Sequence, residues 1–177
     1  MAQEKHTDTN LFKLAILATL ILIFITVATI KIWELRITAE RVGVLHTLGS
    51  LRSAIGITLS ELVIRKGASA LDTLHHSNPM QIWTPPPVNY LGELNTANIP
   101  QEQGIWYFDL DTKVLVYRVR FTDHFTTDNP QYPTQARYQL RLNYRDNNNN
   151  QQFDPYIDEA TGLSLEPMDR YSWSIEE

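Results

Sequence analysis

The sequence predicts an α+β protein in which one long N-terminal helix, half transmembrane and half amphipathic, packs on a small antiparallel β-sheet. Three observations carry this prediction. Residues Leu14 to Ile30 are seventeen uncharged residues in a row, apolar residues then recur every three or four positions as far as Leu62, and beyond residue 104 the period falls to two. At 177 residues, 43% of them hydrophobic, the chain is long enough for one domain with its own core and too short for two.

The N-terminal run is LAILATLILIFITVATI, bracketed by Lys13 and Lys31, with Leu11-Phe12 and Ile32-Trp33 extending it outward. At the rise of an α-helix the uncharged run covers about 25 Å and Leu11 to Trp33 about 34 Å, against a hydrocarbon core of roughly 30 Å. Two snorkelling lysines close the difference, and Trp33 stands where an interfacial aromatic belongs. A cleaved signal peptide would have a shorter apolar core and a small-x-small site, and no Ala-x-Ala follows Ile30, so residues 11–33 are expected to remain as an anchor. Lys5 and Lys13 on one side and Lys31, Arg36 and Arg41 on the other leave the orientation undecided by charge. Residues 1–10 form a short tail, so the working part is expected to be 34–177.

Val42, Leu45, Leu48, Leu51, Ile55, Leu59 and Leu62 mark an amphipathic stem helix over 34–66, continuous with the anchor from about residue 10. Arg65 and Lys66 complement the helix dipole and Gly67 is placed to end it. Gly49, Ser53, Gly56 and Ser60 form a second stripe that lets a backbone approach closely, either the sheet of the same chain, the expected partner, or another helix. A short helix is expected from Ser69, capped by its hydroxyl with Asp72 at the third position, ending before Pro79. His75 and His76 close it; adjacent imidazoles point to different helix faces, which disfavours a shared metal.

Residues 77–104 hold five of the nine prolines and no sustained period, so they read as a long loop anchored by Trp83, Tyr90 and Leu91, with Pro85-Pro86-Pro87 extended. Residues 105–177 read as an antiparallel sheet. Ile105–Leu110 and Lys113–Phe121 flank a turn at Asp111-Thr112, and Gln135–Arg145 alternates with Tyr138, Leu140, Leu142 and Tyr144 on one face and Arg137, Gln139, Arg141, Asn143 and Arg145 on the other. Further strands are expected near Leu163 and Leu165, and at Tyr171, Trp173 and Ile175.

No cysteine excludes disulfides and thiolate chemistry, and a net charge of -5 gives no basic footprint for nucleic acid. That charge is uneven: residues 31–66 carry +3 and residues 123–177 carry -6. No nucleophile elbow, His-Glu-x-x-His, phosphate loop or dinucleotide fingerprint is present, and His6, His46 and His124 lie far apart in sequence. Asp109 and Asp111 read as turn formers. Asp146, Asn148 and Asn150 begin as an EF-hand loop does, but Gln151 replaces its glycine and Ile157 its bidentate Glu. A different calcium site using Asp154, Asp158 and Glu159 stays open beside the plain reading of a polar connection. No catalytic, cofactor or metal residue is therefore assigned.

This order of parts resembles the type IV pilins and the pseudopilins of type II secretion. The string Ser77-Asn78-Pro79-Met80, Pro86, Asn89-Tyr90-Leu91-Gly92-Glu93, Gly104, Trp106-Tyr107-Phe108-Asp109 and Leu115-Val116-Tyr117-Arg118-Val119-Arg120 is similar to the pilin-like accessory proteins of mannose-sensitive haemagglutinin (MSHA) pilus biogenesis. The resemblance implies a non-enzymatic, single-pass protein of the bacterial inner membrane, with a cytoplasmic N-terminus, a periplasmic C-terminal domain and no cofactor. Its implied partners are the lipid bilayer and protein components of a pilus or secretion assembly. Thr9 to Ala15 lack the leader glycine and the fifth-position Glu of processed pilins. A processed minor pilin and, in another class, a tethered periplasmic enzyme or ligand-binding domain are the competing expectations.

Overall fold

The computed structural model describes residues 2–174, with side chains from residue 11 onward; the expected strand position Ile175 and the side chain of His6 lie outside the described residues. The chain divides into two compact units, Met1–Ala39 and Glu40–Glu177. Helix α1 runs Ala2–Lys66, and so begins before the expected residue 10.

In the first unit one apolar stretch of α1 is long enough to cross a bilayer by length and composition, and none of it is buried. Its three hydroxyls are satisfied within the helix: Thr19, Thr26 and Thr29 donate to the carbonyls of Ala15, Leu22 and Ile25 at 2.8–2.9 Å. Polar groups closed in this way remove most of the cost of placing threonine among apolar side chains. Lys31 pairs with Glu34 at 2.9 Å just beyond the run.

In the second unit, the Glu40–Lys66 part of α1 turns Val44, Leu48, Leu51 and Ile55 into the core. Successive residues turn by about 100°, so these four share one face, with Thr47 beside them. Val42 and Leu45, expected on that face, are instead 56% and 49% exposed. Val42 lies roughly 160° around from Val44, on the far side of the helix, and Leu45 roughly 100°, so a three-four spacing alone does not keep them on the core face. Gly67, at φ 85, ends the helix with its N–H on the Val63 carbonyl at 2.9 Å.

The strands are β1 (Tyr90–Leu94), β2 (Ile105–Asp109), β3 (Val114–Arg118), β4 (Phe125–Thr127), β5 (Gln135–Arg145), β6 (Glu159–Pro167) and β7 (Tyr171–Trp173). Five form one sheet in the order β1-β2-β3-β5-β6, and β4 pairs with β7 separately. The β2-β3-β5-β6 ladders are antiparallel, as expected, but β1 joins β2 in parallel, so the sheet is mixed. β1 arises inside the segment expected to be loop. It is five residues long, contains Gly92 at φ 94 and has an irregular register between Tyr90 and Glu93. Strand propensity cannot reveal such a segment; β2 defines it, Trp106 N–H donating to Asn89 O and Leu110 N–H to Leu94 O, both at 2.9 Å.

Trp106, Phe108, Leu115, Tyr117, Tyr138, Leu140 and Leu165 face the stem, and Met80 and Phe125 complete that core. The opposite face of β2 and β3 is not wet. Ile105, Tyr107, Val114 and Val116 form a second cluster covered by Leu94, Ile99 and Met168. Arg137, expected in water, keeps only 11% of its side chain exposed, pairs with Asp169 at 3.3 Å and lies 3.9 Å over the Tyr132 ring. The returning segments fold over this face, which a period-two pattern in one strand does not disclose.

Three local expectations change. Ala68–Leu74 is a 3-10 helix whose cap position is Gly67, without a side-chain cap from Ser69. The proline segment bends at Trp83–Pro85, where Thr84–Pro85 is cis, and so is not one extended run. Leu91, expected as an anchor, is 44% exposed and belongs to neither core cluster.

Candidate protein-interaction surface

The side of the stem turned away from the sheet carries Gly49, Ser53, Gly56 and Ser60, all exposed. The expectation that the sheet uses this stripe is overturned: a Cβ built on Gly49 or Gly56 meets nothing within 4 Å. The Ser53 and Ser60 hydroxyls donate back to the Gly49 and Gly56 carbonyls at 3.0 and 2.9 Å. The stripe is therefore shallow and presents no unsatisfied hydroxyl. Glycine inside a helix costs about 1 kcal/mol relative to alanine, and the described residues supply no steric reason for it here.

Ile57, 71% exposed, and Ile64, 85% exposed, border the stripe. On its flank Trp83 stands beside the helix and closes an open groove of about 600 Å³, lined by His46, Gly49, Ser50, Ser53, Ala54 and Ile57. The Pro-rich segment that positions Trp83 is pinned from within. The buried Asn78 donates from Nδ2 to Tyr90 Oη at 2.7 Å and Glu93 Oε1 at 2.9 Å, and its Oδ1 accepts the Met80 N–H at 3.0 Å. Tyr90 is thus an internal support; burial raises its ionisation above the usual range, the Asn78 hydrogen bond opposes this and Glu93 adds to it.

The other singled-out residues serve the fold. Asp109 Oδ1 accepts the Asp111 N–H at 2.9 Å, and Asp111 accepts the Thr96 N–H at 2.8 Å, which with the Thr96 hydroxyl holds the Asp111 carboxyl below its ordinary value. In the Asn-rich loop, Asp146 takes the Asn150 and Gln151 N–H groups, Asp154 takes the Asn148 and Asn150 amides, and the buried Asp158 takes the Asn147 and Asp154 N–H groups. Among the described residues no group of three or more His, Asp or Glu side chains is placed to hold a metal ion. His124 Nδ1 lies 3.2 Å from the Ser174 carbonyl, and His46 lines the groove.

Sequence reasoning missed Glu40. Its Oε1 accepts from the Tyr117 hydroxyl at 2.8 Å and the Arg120 N–H at 2.6 Å, and Oε2 from the Phe121 N–H at 3.1 Å. The signal was there: Glu40 lies one turn before Val44 on the inward stripe, where an acid needs a partner. Among the described residues, His76, Tyr90, Tyr107, Asp111, Tyr117 and Tyr138 have shifted ionisation, and these six line neither the stem groove nor the hollows at Asp72–Phe153, Thr126–Ser172 and Asp128–Tyr171.

The fold defines a class, an α+β protein whose long N-terminal helix carries a bilayer-length apolar stretch and then backs a small mixed sheet. No family model, curated protein or solved structure matches the chain.

Proposed function

We propose that this protein is a non-enzymatic, membrane-anchored assembly or scaffold component of MSHA-type pilus biogenesis or a related secretion system. The outward face of the stem carries the reading: two glycines with no neighbour to accommodate, hydroxyls folded back, and Trp83 beside them. Such a face fits a partner α-helix, whose backbone can come close where side chains are small. Because the same helix holds the apolar stretch, the partner is a protein helix emerging from the same bilayer rather than a nucleic acid. The inner-membrane location, cytoplasmic N-terminus and periplasmic sheet domain rest on the pilin resemblance.

The test is deletion of the gene, followed by counting surface pili and identifying proteins that co-purify with the full chain. Normal piliation with no pilus or secretion component recovered sinks the reading. Alkaline phosphatase fused after Glu177 reports the orientation. Mass spectrometry of the mature N-terminus separates an unprocessed scaffold from a processed minor pilin, which would begin near residue 11.

A further inference from the structure

Strand β3 covers β5 only as far as Tyr138, so the same edge of β5 needs other partners beyond that point. Two consecutive histidines supply them. The His76 N–H donates to the Leu140 carbonyl at 2.9 Å, and the Leu142 N–H donates to His75 Nδ1 at 3.0 Å. An imidazole nitrogen here takes the place of a backbone carbonyl.

We propose that the His75–His76 pair is a pH-sensitive latch that holds the Ala68–His76 segment on β5 at neutral pH and releases it on mild acidification. Only an unprotonated Nδ1 can accept the Leu142 N–H; once protonated it becomes a donor facing a donor. The two rings are stacked with centroids 3.7 Å apart, so a proton on one opposes a proton on the other. Burial, the His75 ring and Arg141 all lower the proton affinity of His76, in that order. His76 also sits at φ 58, in the left-handed region that is uncommon for residues other than glycine, although His, like Asn and Asp, is enriched there.

The surrounding charges do not undo this. Asp72 and Tyr144 line the same hollow as His75, with the uncharged Gln151, Gln152 and Phe153, and Arg141 on β5 lowers the proton affinity of His76. The acids of β6 are engaged elsewhere, Glu159 with Arg145 and Glu166 with Arg141. Release would uncover Leu71, now 1% exposed, and the β5 edge at Leu140–Leu142.

Amide hydrogen exchange on the full chain in detergent micelles, at pH 7.5 and 5.0 and referred to intrinsic rates, tests the latch. Leu142 and His76 are expected to lose about tenfold in protection at pH 5.0, while the Leu115–Tyr138 ladder keeps its own. Equal protection at both pH values overturns the proposal, and so does a loss shared by the whole ladder. In His75→Gln the amide oxygen can accept without titrating, so the loss should vanish; an undiminished loss removes His75 as the sensor. Independently of any variant, nitrogen NMR of the wild type should show His75 as the Nε2–H tautomer at pH 7.5, and the Nδ1–H tautomer contradicts the latch.

Discussion

The Glu40 carboxylate and the Tyr117 hydroxyl meet at 2.8 Å across 77 residues of sequence, tying the stem helix to the end of β3. The same carboxylate receives the N–H groups of Arg120 and Phe121, where the chain leaves the sheet. Truncation to Glu40→Ala removes the acceptor of three donors and should lower stability by about 2–3 kcal/mol, with Glu40→Gln closer to wild type. Thermal unfolding of the full chain in micelles measures this; an unchanged midpoint for the alanine variant would falsify the clamp.

The stem glycines separate folding from binding. Gly49→Ala and Gly56→Ala should each stabilise the isolated chain by about 0.5–1 kcal/mol, since the added methyl meets nothing within 4 Å and the helix gains propensity. Gly49→Leu, on the same open surface, should leave the fold intact and abolish co-purification of the partner. If Gly49→Leu binds as wild type does, the outward face is not the docking surface.

Gly104 behaves in the opposite sense. It sits at φ 75 and a Cβ there would lie 2.5 Å from Arg120 Nη2. The guanidinium is the free end of a long side chain and can move aside, so backbone strain dominates, and Gly104→Ala should cost about 1–2 kcal/mol. Pairing this change with Arg120→Ala should recover only the steric part, which a double-mutant cycle reads directly.

Alkaline pH should ionise the core tyrosines late. Burial pushes the Tyr107 phenol up to about 12 and raises Tyr117 and Tyr138 further. A phenol whose folded value lies above its unfolded one contributes stability that is complete below about pH 10 and is lost as pH rises through the folded value. Tyr107, Tyr117 and Tyr138 should be missing from the absorbance change at 295 nm at pH 11 and appear only as the domain opens. A complete titration by pH 11 with the fold intact would show them to be accessible.

At the acid end the sign reverses. His76 titrates below its ordinary 6.5, so the stability it contributes is present above that pH and lost as pH falls toward its lowered folded value. Because the ring is largely exposed, the global midpoint should shift only slightly between pH 7.5 and 5.5. A large drop would place the acid sensitivity elsewhere in the molecule.

The sequence by itself determined the elements whose side chains repeat along their own axis. Leu14–Ile30, the helix end at Lys66 and Gly67, and β5 over Gln135–Arg145 are all legible, because each is specified by local period, composition or a glycine stop. Only the tertiary structure decided which apolar residues of the stem meet the sheet, since Val42 and Leu45 fit the three-four spacing of the run yet are exposed, while Val44 and Leu48 are buried. It alone made Tyr90–Leu94 a parallel strand, covered the second face of β2 and β3, and paired Glu40 with Tyr117. These depend on segments distant in sequence supplying hydrogen-bond partners and apolar cover, which no periodicity along one segment encodes. The small-residue stripe was visible from the start, but only the packing of the other face against the sheet left it outward and open.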